Sequence, residues 1–275
     1  MPDFGSRLSR VLDTRGPLCV GIDAHPFLLD AWGLSDSASG AREFGLTVVD
    51  AAAHAVGVVK PQVAFFERFG SAGYTALEAV ISAARDAGLL VIADVKRDDI
   101  GSTVDAYAAA WLSPGSPLES DAMTVVAYQG VGSLRGPIEL ARANEKGLFV
   151  LAATSNPEAR ATQTARRPDG ETVAAGVVSE IAEYNPGPGL GSIGVVIGAT
   201  VDMDDYRIDR ASLARTPILA PGFGEQGAEL AELGSVYGSV SAHVIANVGR
   251  SVLRGGPSAL AESIRRAAES ARSAR

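Results

Sequence analysis

The stretch LLVIADVKRDDI, residues 89–100, runs through five apolar residues and then turns abruptly to charge at Asp94, Lys96, Arg97, Asp98 and Asp99. Unbroken apolar runs of this length suit a strand covered on both faces, as in a parallel sheet packed between layers. The charge marks where that strand leaves the core. Similar runs recur along the chain: LCVGID (18–23), GVVKPQ (57–62), AMTVVAY (122–128), GLFVLAAT (147–154), SIGVVIGA (192–199), PILAPG (217–222) and HVIANVG (243–249). Longer amphipathic stretches separate them, which is the signature of successive β-α units. The clearest helix is 72–86, where Tyr74, Leu77, Ile81 and Ala84 recur at spacings of three and four. Two more are 103–112, with Val104, Tyr107 and Trp111 on one face, and 172–184, with Val173, Val177, Ile181 and Tyr184. All three stripes read as core-facing.

Eight such units in about 250 residues predict a single (β/α)8 barrel domain over 1–275, with a short N-terminal helix around 5–13 closing its bottom. A doubly wound open sheet is the alternative architecture. The Pro/Gly-rich NPGPGLGS (185–192) reads as a turn into the sixth strand, and SNPEARATQTARRPDG (155–170) as a long loop of the kind that forms lids.

Composition narrows the setting. With 47% hydrophobic and 20% charged residues the chain is an ordinary globular one. A net charge of −8 with scattered basic residues argues against nucleic acid as a partner, and no stretch approaches a membrane span. The start, MPDFGSRLSRVLD, lacks the apolar region of a secretion signal, so the cytoplasm is the expected location. The lone Cys19 lies within LCVGI and reads as a buried, inert thiol.

In a barrel of this kind the active site forms at the carboxyl ends of the strands. Asp23 ends the first strand, Lys60 lies near the end of the second, and Asp94 and Lys96 end the third. Residues i and i+2 project to one side of a strand, so Asp94 and Lys96 share one pocket or surface. A plain ion pair closing the strand end is the competing reading. Against it stands lysine usage: of 24 basic residues only those at 60, 96 and 146 are Lys. Arg serves a surface pair equally well but stays protonated at any working pH, whereas Lys can hand over a proton. Lys146 precedes Gly147 at a helix end, where a cation suits the dipole. Asp94, Lys96 and Asp99 together read as an alternating array of charge, with Asp98 a solvated neighbour. Across the barrel mouth, APGFGEQG (220–227) and NVGRS (247–251) follow the seventh and eighth strands, the usual phosphate-binding loops. Gln226 offers an amide and Arg250 a forked charge for phosphate oxygens.

Taken in order, these motifs resemble the orotidine 5′-phosphate decarboxylase family, in its actinobacterial form, over nearly the whole chain. GIDAHP resembles the family's first-strand motif with ribose-binding Asp23. VVKPQVAFFE resembles the segment holding Lys60, and D-x-K-x-x-D at Asp94, Lys96 and Asp99 the central signature. LAATSNPE resembles the segment whose Ser155 meets the pyrimidine, and APGFGEQG with GRS the phosphate grip of Pro221, Gln226, Gly249 and Arg250. The resemblance implies decarboxylation of orotidine 5′-monophosphate to UMP without metal or cofactor, with Lys96 as donor beside Asp94, Lys60 and Asp99. It also implies a homodimer in which Asp99 and Thr103 reach the neighbouring subunit's site. Asp98 and Ala24 depart from the family pattern, standing where a small residue, often Gly, and a Pro are expected. A Mg2+-dependent sugar-phosphate decarboxylase or aldolase and a catalytically silent nucleotide-binding barrel are the rival readings.

Overall fold

The computed structural model describes residues 2–275. Its eight strands are β1 (Leu18–Ile22), β2 (Val58–Pro61), β3 (Leu90–Arg97), β4 (Ala122–Val125), β5 (Gly147–Ala153), β6 (Ile193–Ile197), β7 (Ile218–Pro221) and β8 (Val244–Val248). Each pairs in parallel with its sequence neighbours and β8 pairs with β1, closing a barrel. The (β/α)8 architecture expected from the sequence is thus present, and the open-sheet alternative is excluded.

Strand alternation sorts the core into two clusters. Outward residues such as Val20, Val59, Val91, Val150, Val195 and Ala246 pack under the surrounding helices. Inward residues Cys19, Val58, Ile92, Phe149, Val196, Leu219 and Ile245 fill the lower barrel. The helix Phe4–Arg15 plugs that end: Asp3 caps it through the Ser6 amide at 2.7 Å, and Phe4, Leu8 and Leu12 join the inner cluster. Phe4 meets Phe149 edge to face at 5.9 Å. Burial of each of these side chains contributes roughly 1.5–3 kcal/mol. Gly147 leaves room for the plug, since a Cβ there would lie 2.4 Å from the Phe4 ring.

Three details depart from expectation. Tyr107, placed on the buried face of the helix Gly101–Leu112, is 39% exposed, while Val104 and Trp111 are buried. Its ring lies beneath the Arg97 guanidinium instead. The stretch 155–170 contains a helix, Ala159–Gln163, too short to show periodicity, and Gln163 accepts from the Thr154 amide at 2.9 Å. Lys146 is buried and donates to Glu119 at 2.8 Å, so an ion pair accounts for it. Among the described residues, no helix is long and apolar enough to cross a membrane.

Cys19 lies wholly inside the barrel, and burial pushes its thiol up to about 12. A thiolate reagent at pH 8 should therefore leave the folded chain untouched and titrate one thiol per chain in denaturant. Rapid labelling of the folded protein would contradict this placement.

Candidate active site

The alternation that lines the lower barrel with apolar groups delivers polar ones two residues later. Val58 leads to Lys60 on β2, Ile92 to Asp94 on β3, Ala122 to Thr124 on β4, and Ile245 to Asn247 on β8. All four polar residues are less than a tenth exposed. They form the floor of a cavity of about 510 Å3 at the carboxyl ends of the strands.

Asp94 is the hub. Its Oδ2 accepts from Lys60 Nζ at 2.7 Å, and its Oδ1 accepts from Lys96 Nζ at 2.5 Å and from the Thr124 hydroxyl at 2.9 Å. Lys60 also donates to Gln62 Oε1 at 3.3 Å. Burial by itself raises a carboxyl, but the two ammonium groups and their hydrogen bonds outweigh it and hold Asp94 below the usual carboxylate range. For Lys60, burial by itself lowers the ammonium, yet Asp94 and then Asp23 drive it above its ordinary value. Both groups are therefore ionised at neutral pH.

Lys96 reaches Asp94 by a route the i, i+2 rule does not describe. The β3–β4 register passes from Ala93↔Met123 directly to Arg97↔Val125, so Asp94, Val95 and Lys96 all face Thr124. Lys96 adopts φ +46, a left-handed conformation that is costly outside glycine. A bulge of this kind re-aims a side chain at a strand end.

The remaining predicted residues divide by location. Ser155, Pro221, Gln226, Gly249 and Arg250 line the same cavity on its far side. Ser155 donates to Gln226 Oε1 at 2.7 Å, and Arg250 lies 3.7 Å from Glu225, which also pairs with Arg254 at 2.5 Å. Asp23 lies between the two ends, over Gly249, where a Cβ would stand 2.5 Å from its Oδ2. Among the described residues, its Oδ1 and that of Asn247 have no hydrogen-bond partner, two buried acceptors on residues that line the cavity.

Asp99 and Thr103 do not join them: both lie outside the cavity, and the Asp99 carboxylate accepts from the next residue's amide, that of Ile100, at 2.8 Å. The array expected at Asp94, Lys96 and Asp99 is thus, within one chain, Lys60, Asp94 and Lys96. Asp98 is not merely solvated, because the Gln129 side-chain amide group lies against its carboxylate. Burial and then the Asp99 charge raise that carboxyl above its ordinary value. Thr124, Gln62 and Asn247 escaped the sequence reading. Thr124 alone left a trace there, as a hydroxyl interrupting the apolar run AMTVV.

Comparison with known proteins gives this geometry a context. Residues 16–264 match the orotidine 5′-phosphate decarboxylase / HUMPS family. The chain is 53% identical over 262 residues to the orotidine 5′-phosphate decarboxylase of Salinispora tropica, covering 95% of this chain and 93% of that one. The enzyme of the same name from Streptomyces coelicolor is 51% identical over 259 residues, with 94% and 92% covered. Among solved structures, one from Streptomyces avermitilis, provisionally given that name, superposes with a TM-score of 0.95 at 51% identity, covering 100% of this chain and 96% of that one. The Leishmania donovani OMP decarboxylase superposes at 0.76 with 29% identity, covering 99% and 100%.

The shifts of Asp94 and Lys60 fix how the array acts on stability. The depressed Asp94 value makes its contribution complete above about pH 4 and lost as pH falls through the folded value. The raised Lys60 value makes its contribution complete below about pH 10 and lost as pH rises through the folded value. Asp94→Asn strips the counter-charge from a buried ammonium and should cost about 3–5 kcal/mol in urea unfolding at pH 7. The gap from the parent should narrow on acidification below about pH 4. Equal stability of variant and parent at pH 7 would refute the pairing as a structural hub.

Proposed function

The chain belongs to the orotidine 5′-phosphate decarboxylase / HUMPS family, and on that premise we propose that this carboxy-lyase converts orotidine 5′-monophosphate to UMP and CO2 with Lys96 as proton donor. The observation that carries the reading is the Lys96 ammonium, 2.5 Å from a buried carboxylate and facing a cavity whose opposite wall holds Arg250 and Gln226. The phosphate lies against Arg250 and the glycine-rich loops of Pro221, Gln226 and Gly249, the ribose against Asp23, and the pyrimidine against Ser155. That leaves the substrate carboxylate toward Asp94 and Lys96.

The bond from the ring carbon to the carboxylate breaks and CO2 departs, leaving the electron pair on the ring. The fixed ammonium stabilises that charge and delivers its proton to the same carbon; the neutral amine then regains a proton from solvent. Asp94 and Lys60 keep the ammonium aimed. No step of this route calls on a metal or an organic cofactor.

The active unit is a homodimer in which Asp99 and Thr103 complete the neighbouring site. Supporting this, Asp99 is half-buried and Thr103 exposed, and both stand apart from their own cavity, on the segment that begins the helix Gly101–Leu112. Around them lie the exposed apolar side chains Ile100, Tyr107 and Tyr128. The Gln129–Asp98 contact sets the loop carrying Tyr128 beside the one carrying Ile100. Such a patch suits an interface between copies.

Loss of orotidine monophosphate absorbance tests the reaction. Lys96→Arg should keep the fold and the charge but lose at least about 100-fold in turnover, the usual contribution of a positioned acid. Near-parental turnover would remove Lys96 from its role. The dimer has a separate test: mixing inactive Lys96→Arg and Asp99→Asn chains should restore about a quarter of parental activity, because random pairing gives half heterodimers with one intact site each. No recovery in mixtures shown to exchange subunits would place Asp99 elsewhere.

A further inference from the structure

Where β3 bulges, its backbone loses the partner that a regular ladder supplies. Asp94, Val95 and Lys96 face a single residue of β4, and pairing resumes only when the Val126 amide donates to the Arg97 carbonyl at 2.9 Å. The amides of Val95 and Lys96 both turn to the Thr124 hydroxyl, each at 3.0 Å. That hydroxyl in turn donates to Asp94 Oδ1, the oxygen that also receives Lys96. A hydroxyl has one proton and two lone pairs, so every position on Thr124 Oγ1 is occupied, and the side chain is 1% exposed. One oxygen therefore fixes the side chain of the first bulge residue and the backbone of the next two.

We infer that Thr124 is the positioning residue of the reaction: its hydroxyl replaces the missing ladder acceptor, holds Lys96 in its left-handed conformation and so aims the ammonium. The inference rests on the assignment of Lys96 as proton donor. Among the described residues, Thr124 is the side chain to which both of these amides donate. Without the hydroxyl, both amides are left unpaired inside the barrel wall, and Lys96 relaxes toward an ordinary strand conformation that points its side chain differently. Valine matches the shape of threonine and lacks the oxygen; serine keeps the oxygen and lacks the methyl.

The test compares Thr124→Val with Thr124→Ser by turnover, by UMP affinity and by hydrogen exchange at the Val95 and Lys96 amides. Thr124→Val should lose about 100-fold in kcat, the scale of a misplaced catalytic group, while UMP affinity stays within about threefold. Thr124→Ser should recover to within about fivefold of the parent. Exchange at the two amides should accelerate in Thr124→Val alone, by at least about tenfold. That readout needs no turnover: an inactive parent protein would overturn the proposed reaction, and the exchange data would still decide the role of Thr124. Parental kcat or unchanged exchange in Thr124→Val overturns the inference. So does a loss of kcat and UMP affinity together that Thr124→Ser fails to repair. Should Thr124→Val not fold, a serine variant as impaired in kcat as Lys96→Arg would overturn it equally.

Discussion

One buried carboxylate organises the reacting end of this barrel. Asp94 gives one oxygen to Lys60 and the other to Lys96 and Thr124, so three strands meet on its two atoms. Removing such charges from water is expensive, and the cost is recovered only where geometry is good and every lone pair is used. The barrel supplies that geometry. Lys60 and Asp94 stand on adjacent inward positions of β2 and β3, above a layer of Val58 and Ile92 that keeps water from below. The apolar plug of Phe4, Leu8 and Leu12 at the far end thereby serves the ionic cluster at the near one.

Much of this was legible beforehand, for physical reasons that differ by residue. The eight strands declared themselves because a parallel strand inside a helix layer is apolar on both faces. Lys60 and Lys96 stood out because a chain that otherwise uses Arg kept Lys only where a movable proton or a compact buried cation has a use. The bulge at 94–96 left no mark, because it arises from the register between β3 and β4, a property of two segments rather than one. Thr124 was hidden for the same reason: its role depends on what faces it. Tyr107 was misplaced because helical spacing gives a face but not what covers it, and here the ring stays 39% exposed with the Arg97 guanidinium over it. Asp98 has no visible role in the sequence because its neighbour Gln129 stands about thirty positions on.

The anion-binding side is organised differently, through backbone and small residues. Gly249 admits the Asp23 carboxylate where any side chain would collide with it. Arg250 shares Glu225 with Arg254, at the longer of the two distances, so its guanidinium keeps donors for another partner. Ser155 and Gln226 join the β5 and β7 loops by one hydrogen bond. The unpartnered oxygens of Asp23 and Asn247 lie between this side and the lysines, which suits a ligand stretched over β8, β1, β2 and β3 with hydroxyl donors in its middle.

The same electrostatics bear on why a site of this kind would be shared between chains. A second acid brought next to Asp94 from its own strand would have to follow Lys96 within the bulge, where the backbone is already committed to Thr124. Asp99 instead leaves on the loop, with its carboxylate turned to the Ile100 amide. In the proposed dimer, an acid arriving from a second copy would meet Lys96 from the solvent side, where its side chain is still 45% exposed. There it would add attraction to the cation at a greater distance from Asp94, so the repulsion between carboxylates would be weaker while the lysine was held from both sides.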